Sequence, residues 1–197
     1  LPEIQRIFIS GYMGAGKSTV GRLLARNLGY RFVDTDTQLV RQFHLPVADI
    51  FAQYGEASFR EAEQALLSTM LGETHVVVST GGGTLTREET LAPVLAAPAT
   101  CLVYLRAPVE ILYERVIFSR RERPLLDVPN AEQQFRERFS QRQPYYLRAH
   151  VVVDTENIRP EDIVRRMYEA VATWQATALA DAPPTPWPPP KTESGTL

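Results

Sequence analysis

The sequence predicts a single α/β domain built on a parallel sheet, and three observations lead there. Short β-branched runs alternate with longer helical patterns, as in chains of strand–helix–strand units. Four of the five strand candidates are near-continuous apolar runs without alternation, which suits strands covered by helices on both faces. The first strand runs into a glycine-rich loop and then a helix, a unit of parallel α/β architecture.

In chain order the strand candidates are residues 6–10, 31–34, 75–79, 101–105 and 150–154. The helical patterns between and after them cover residues 19–28, 59–71, 109–118, 132–148 and 160–180. No fixed-period repeat is visible. Residues 1–180 read as one domain. Residues 181–197 differ: six prolines fall between Pro183 and Pro190. The run Pro188-Pro189-Pro190 favours an extended polyproline conformation, so the segment reads as a disordered tail or a linker.

Composition narrows the function. A chain of 197 residues, 44% hydrophobic, fits one domain with a proper core. A net charge of -2 leaves no polybasic footprint, which argues against nucleic acid as a partner. The one cysteine, Cys101, lies in an apolar run and reads as a small buried hydrophobe. It can build neither a disulfide framework nor a cysteine metal site. No apolar stretch approaches the ~18 residues that span a membrane. The first six residues hold no signal-peptide core. A cytoplasmic protein without a membrane partner is expected. Of the 21 Lys and Arg only Lys17 and Lys191 are lysines, and only Lys17 falls in the folded region.

Lys17 belongs to Gly11-Tyr12-Met13-Gly14-Ala15-Gly16-Lys17-Ser18-Thr19, which matches G-x-x-x-x-G-K-[ST] in full. From the chain's own composition, about one chance match per thousand such sequences is expected. The strand before it and the helical pattern after it, Val20, Leu23, Leu24 and Leu28, are the context the motif requires. Glycines let the backbone curl so that successive N–H groups face phosphate oxygens, and the helix N-terminus adds its dipole. Lys17 supplies a point charge to the β- and γ-phosphates, and Ser18 Oγ can bind Mg²⁺. The chain has no D-x-x-G, N-K-x-D or L-S-G-G-Q, so a guanine-nucleotide switch and a transporter ATPase are both poorly supported.

The residues after the loop point to the acceptor. Asp34 and Asp36 close the second strand in Phe32-Val33-Asp34-Thr35-Asp36, and strand alternation would put them on one side. Carboxylates there can hold Mg²⁺ through its water shell, take a proton from an attacking hydroxyl, or simply cap the next helix. In Phe59-Arg60-x-x-Glu63, Arg60 and Glu63 can pair at i, i+3, fixing the guanidinium for a bidentate contact with a carboxylate or forming an ordinary surface pair. Gly81-Gly82-Gly83 after the third strand offers backbone N–H groups to a small polar ligand, or a plain turn. The cluster Arg120-Arg121-Glu122-Arg123-Pro124 reads as a mobile lid carrying an arginine, or as a solvated loop.

Taken in order, these elements resemble the shikimate kinase family over roughly residues 6–172. The set is the P-loop, F-x-D-x-D at 32–36, F-R-x-x-E at 59–63, the triple glycine, R-P-L-L at 123–126 and R-x-P-x-Y at 142–146. The resemblance implies a three-layer α/β/α P-loop kinase fold, a five-stranded parallel sheet in order 2-3-1-4-5, and a lid at about 119–129. It implies transfer of the γ-phosphoryl of MgATP to the 3-hydroxyl of shikimate by a monomer, with one Mg²⁺ and ATP as co-substrate. Lys17, Asp36 and Arg123 would be catalytic. Gly14, Ala15, Gly16, Lys17, Ser18 and Thr19 would hold the ATP phosphates with Arg123, and Arg115 and Pro160 would flank adenine. Ser18, with Asp34 through water, would hold the metal. Asp36, Phe51, Phe59, Arg60, Gly81, Gly82, Gly83 and Arg142 would form the shikimate pocket, Arg60 and Arg142 gripping its carboxylate. His44-Leu45-Pro46 stands where the family often has glycine. The competing readings are a related small-molecule kinase, such as gluconate kinase, and a catalytically silent nucleotide-binding module.

Overall fold

The computed structural model describes residues 4–119 and 130–180. Arg123, nearly all of the lid segment and the Pro-rich tail lie outside the described residues.

Five strands make one parallel sheet in the order β2-β3-β1-β4-β5. They are β1 (Arg6–Ser10), β2 (Arg31–Asp34), β3 (Val76–Ser79), β4 (Thr100–Arg106) and β5 (Val151–Asp154). Seven helices connect and cover them: α1 (Lys17–Leu28), α2 (Thr35–Phe43), α3 (Val47–Gly72), α4 (Glu88–Ala96), α5 (Val109–Phe118), α6 (Ala131–Tyr146) and α7 (Pro160–Ala180). The expected fold class and strand order are those found.

The side-chain period of two along each strand builds the layers. Ile7 and Ile9 of β1 join Val103 and Leu105 of β4 in a core against α1, α5, α6 and α7. Phe8 and Leu102, one residue out of step, face the opposite way against Leu67 and Met70 of α3 and Leu91 and Val94 of α4. Full burial of one such side chain is worth roughly 1.5–3 kcal/mol. The central strands β1, β3 and β4 are therefore apolar on both faces. β5 is not: its residues alternate buried and exposed, and Val152 is 37% exposed. The expectation of a doubly covered strand fails there: β5 lies at the sheet edge, and its alternating burial shows cover on one face only.

Sequence patterning missed α2, α4 and the first half of α3. α3 is broken at Gly55, whose φ of 80° and ψ of 164° are not helical. That break mixes two helical phases in one span and hides the periodicity of the first half. His44 ends α2 in a left-handed conformation, φ 56°, which is the geometry glycine adopts most easily at this point. His44 thus makes the turn into Leu45-Pro46 without a glycine.

The chain visits β1, β2 and β3, then crosses to β4 on the other side of β1. Such a switch of direction leaves a crevice at the carboxyl ends of the strands. The loops after β1 and β3 and the end of β2 all open there.

Candidate active site

The loop from Gly11 to Gly16 wraps the N-terminus of α1. Gly14 has φ +85°, and a Cβ on it would stand 2.6 Å from the carbonyl oxygen of Leu112 on α5. Only glycine satisfies both the left-handed backbone and that close approach. Lys17, the first residue of α1, folds back over the loop, with Nζ donating to the carbonyls of Gly11 at 2.8 Å and Tyr12 at 3.1 Å. The ammonium is thereby held over the anion-binding end of the helix. Ala15 is buried and its N–H donates to Tyr12 O.

Ser18 Oγ donates to Asp34 Oδ2 at 2.6 Å. Asp34 also caps α2: its Oδ1 accepts from the Thr37 N–H at 3.0 Å. Burial works against the Asp34 carboxylate, but hydrogen bonds from Ser18 and Thr37 and the nearby Lys17 charge outweigh it and hold its pKa below the usual value. The expected strand alternation of Asp34 and Asp36 is corrected here. β2 ends at Asp34, and Asp36 stands in the first turn of α2. The two carboxylates share the cleft because a cap and the first helical turn follow each other in space.

Asp36 is open to cleft water but ringed by protein. That protein strips part of its hydration and raises its pKa; Lys17 and Arg60 pull it down, Asp34 and Glu63 push it up, and the balance lies at about 6. A carboxylate tuned upward in a cleft suits a proton acceptor working near neutrality.

Opposite, Arg60 Nη1 donates to Glu63 Oε2 at 2.6 Å, and its Nε and Nη2 donate to Glu56 Oε1 at 3.1 and 2.8 Å. Glu63 is almost fully buried, and Thr84 Oγ1 donates to its other oxygen at 2.6 Å. The i, i+3 pair expected from sequence is therefore a buried anchor rather than a surface pair. Phe51 and Phe59 pack at 4.7 Å between ring centres, and the guanidinium carbon of Arg60 lies 5.6 Å from the Phe59 ring centre. Arg142 approaches from α6, its guanidinium over the Tyr12 ring at 5.7 Å.

The two arginines converge on the triple glycine. A Cβ on Gly83 would lie 3.3 Å from both Arg60 Nη1 and Arg142 Nη2. Tyr146 OH donates to Gly82 O from α6. One expectation is corrected: the Gly81 N–H already donates to Thr35 Oγ1 at 2.9 Å, so Gly81 has no N–H to offer a ligand hydroxyl. Its role is spatial, making room for the Asp36 carboxylate.

All of this lines one cleft of about 780 Å³, which takes in Gly14, Gly16, Lys17, Ser18, Thr19, Asp34, Asp36, Phe51, Phe59, Arg60, Gly81, Gly82, Gly83, Arg115 and Arg142. Arg115 is braced by Thr155, donating to its carbonyl at 2.7 Å. Pro160 opens α7 and does not line the cleft. Sequence reasoning missed Thr35, Thr84 and Thr155, whose partners lie far along the chain. It also missed Glu56, whose i, i+4 spacing to Arg60 was a readable signal.

A phosphate loop at the switch point of a parallel sheet, facing a carboxylate and paired arginines across one cleft, defines a P-loop phosphotransferase for a small anionic acceptor. A family profile described as shikimate kinase matches residues 13–172. The shikimate kinase of Chlorobium luteolum is 38% identical over 84% of this chain and 86% of its own. A solved structure, shikimate kinase from Acinetobacter baumannii in complex with shikimate, superposes with a TM-score of 0.79 at 33% identity, over 86% of this chain and 94% of that one. A gluconokinase from Sinorhizobium meliloti has the same fold at 19% identity, TM-score 0.60, over 90% of this chain and 98% of its own. The chain belongs to the shikimate kinase family.

Proposed function

We propose that this chain transfers the γ-phosphoryl group of ATP to the 3-hydroxyl of shikimate, giving shikimate 3-phosphate and ADP. The observation that carries the reading is the convergence of Arg60 and Arg142 on Gly83, in the cleft that also holds Lys17 and Asp36. One carboxylate and three hydroxyls need two cations, an acceptor carboxylate and a narrow polar wall, and the cleft supplies each.

Arg60 and Arg142 grip the shikimate carboxylate. Phe51 and Phe59 wall the ring. Asp36 orients the attacking hydroxyl and takes its proton as the new P–O bond forms. The bond between the γ-phosphorus and the β–γ bridging oxygen breaks, and ADP leaves with the electron pair. The loop from Gly14 to Thr19 cradles the phosphates, Lys17 meets the charge on the β- and γ-oxygens, Arg115 lies toward adenine, and Arg123 joins the phosphates from the lid.

The donor set of Ser18 and Asp34 is all oxygen, with the carboxylate kept ionised, and so fits Mg²⁺. Among the described residues no group of three or more His, Cys, Asp or Glu could hold a metal, as suits an ion bound chiefly by phosphates and water. Bound there, Mg²⁺ would neutralise phosphate charge. One chain supplies every group named, so the reaction is proposed for a monomer. Among the described residues no helix is long and apolar enough to cross a membrane, and a cytoplasmic setting, where ATP is plentiful, completes the proposal. Residues 1–180 are the proposed kinase domain and 181–197 an appended tail.

The test is ADP release from MgATP with shikimate, with gluconate, and with neither. Turnover that needs shikimate and vanishes in Lys17→Ala is expected. Turnover with gluconate alone would move the chain to the neighbouring kinase class. ATP binding without turnover on either acceptor would make it a silent nucleotide-binding module.

A further inference from the structure

Glu56 opens the second half of α3, directly after the break at Gly55. Its Oε1 accepts both Nε and Nη2 of Arg60, while Nη1 goes to Glu63. Two carboxylates thus occupy three nitrogens of one guanidinium, but they are held very differently. Glu63 is 2% exposed and is fixed from behind by Thr84. Glu56 is 69% exposed, and among the described residues Arg60 alone holds its carboxylate. Separating an exposed ion pair costs little, whereas breaking the buried one is strongly destabilising. A bidentate grip on an incoming carboxylate needs two parallel N–H groups. The Nε–Nη2 edge of Arg60 is such a pair, and Glu56 sits on it.

We infer that Glu56 is a displaceable stand-in for the acceptor's carboxylate. It occupies the Nε–Nη2 edge of Arg60 and gives that edge up when the acceptor binds. The inference rests on the proposed grip of Arg60 on shikimate. Exchange of one carboxylate for another conserves the charge around Arg60, and Glu63 keeps the guanidinium in place throughout. Glu56 therefore lowers acceptor affinity, and it does so only for an acceptor that carries a competing negative charge. A neutral analogue has no ion pair to form on that edge and gains nothing from the removal of Glu56.

Isothermal titration of the full chain with shikimate and with its uncharged methyl ester tests this in wild type, Glu56→Gln, Glu56→Ala and Arg60→Ala. Shikimate is expected to bind roughly two- to fivefold more tightly in both Glu56 variants, in line with release from an exposed ion pair, while the ester's Kd stays at its wild-type value. A shikimate Kd that is unchanged or raised in the Glu56 variants overturns the inference, and so does equal tightening for the ester. Arg60→Ala reports on the underlying reading separately. Wild-type shikimate affinity in that variant removes Arg60 from the acceptor site altogether. Weakened binding there, with no tightening in the Glu56 variants, removes only the role of Glu56.

Discussion

Asp36 Oδ1 packs so closely on Gly81 that a Cβ built on Gly81 would collide with it. The Gly81 backbone cannot yield easily, because its N–H is tied to Thr35 and its carbonyl accepts from the Thr84 N–H. The side chain of Asp36 must therefore move. Gly81→Ala is expected to cut kcat about a hundredfold, the scale of a misplaced general base, with ATP affinity retained. Steady-state kinetics beside nucleotide titration would check it, and a near-normal kcat would separate Asp36 placement from the reaction.

The raised pKa of Asp36, about 6, has two consequences of opposite sign. For activity, the base must be ionised, so kcat/KM for the acceptor should fall below pH 6 along a limb that Asp36→Asn lacks. For stability, the folded-state pKa lies above the ordinary carboxylate value. The folded state therefore binds the proton more tightly, and stability drops as pH rises from about 4 through about 6. Asp36→Asn should raise stability at pH 7.5 by at most about 1 kcal/mol given screening by cleft water, seen as a higher Tm, and the gain should vanish near pH 4. Thermal melts across that range decide it, and a variant less stable than wild type at pH 7.5 would contradict the burial cause.

Asp34 combines a contact to Ser18 with a helix cap, and two substitutions part them. Asn is as good an N-cap as Asp, whereas Ala loses about 1 kcal/mol. Asp34→Asn is expected to keep Tm near wild type yet raise the Mg²⁺ concentration for half-maximal rate several-fold. Asp34→Ala should show both defects. Magnesium titrations and melts on the same samples test this, and an unchanged magnesium requirement in both variants would leave Asp34 with capping alone.

Gly83 leaves 3.3 Å between its missing Cβ and each of two guanidinium nitrogens. A methyl group there crowds the space where both arginines meet the acceptor. Gly83→Ala is expected to raise the acceptor KM about tenfold or more while the ATP KM holds, since a carboxylate gripped by charged hydrogen bonds loses alignment. A shift in the ATP KM instead would place Gly83 on the nucleotide side.

Most of the fold and much of the candidate site could be read from residue order. The strand positions, the phosphate loop and the F-R-x-x-E segment are local patterns, each declared within a few neighbouring residues. The second half of α3 was legible because Phe59, Ala62, Leu66 and similar positions keep one phase; the first half was not, because Gly55 resets it. Strand alternation does not reach Asp36, because Asp34 both ends β2 and caps α2, and an Asp that ends a strand and an Asp that caps a helix look alike in sequence.

What the sequence determined by itself was therefore the architecture and the cast: a parallel α/β sheet, Lys17 at the head of α1, two aspartates where β2 gives way to α2, and arginines at 60 and 142. What only the tertiary structure decided was the state of each group. Thr35 takes the Gly81 N–H across a separation of 46 residues. Glu63 becomes a buried anchor because Thr84, 21 residues on, meets it. The Asp36 carboxyl is pushed up to about 6 because surrounding protein strips part of its hydration. Local geometry follows from bonds and near neighbours, which the sequence contains, whereas hydration, pairing and charge depend on which distant segments the sheet brings together.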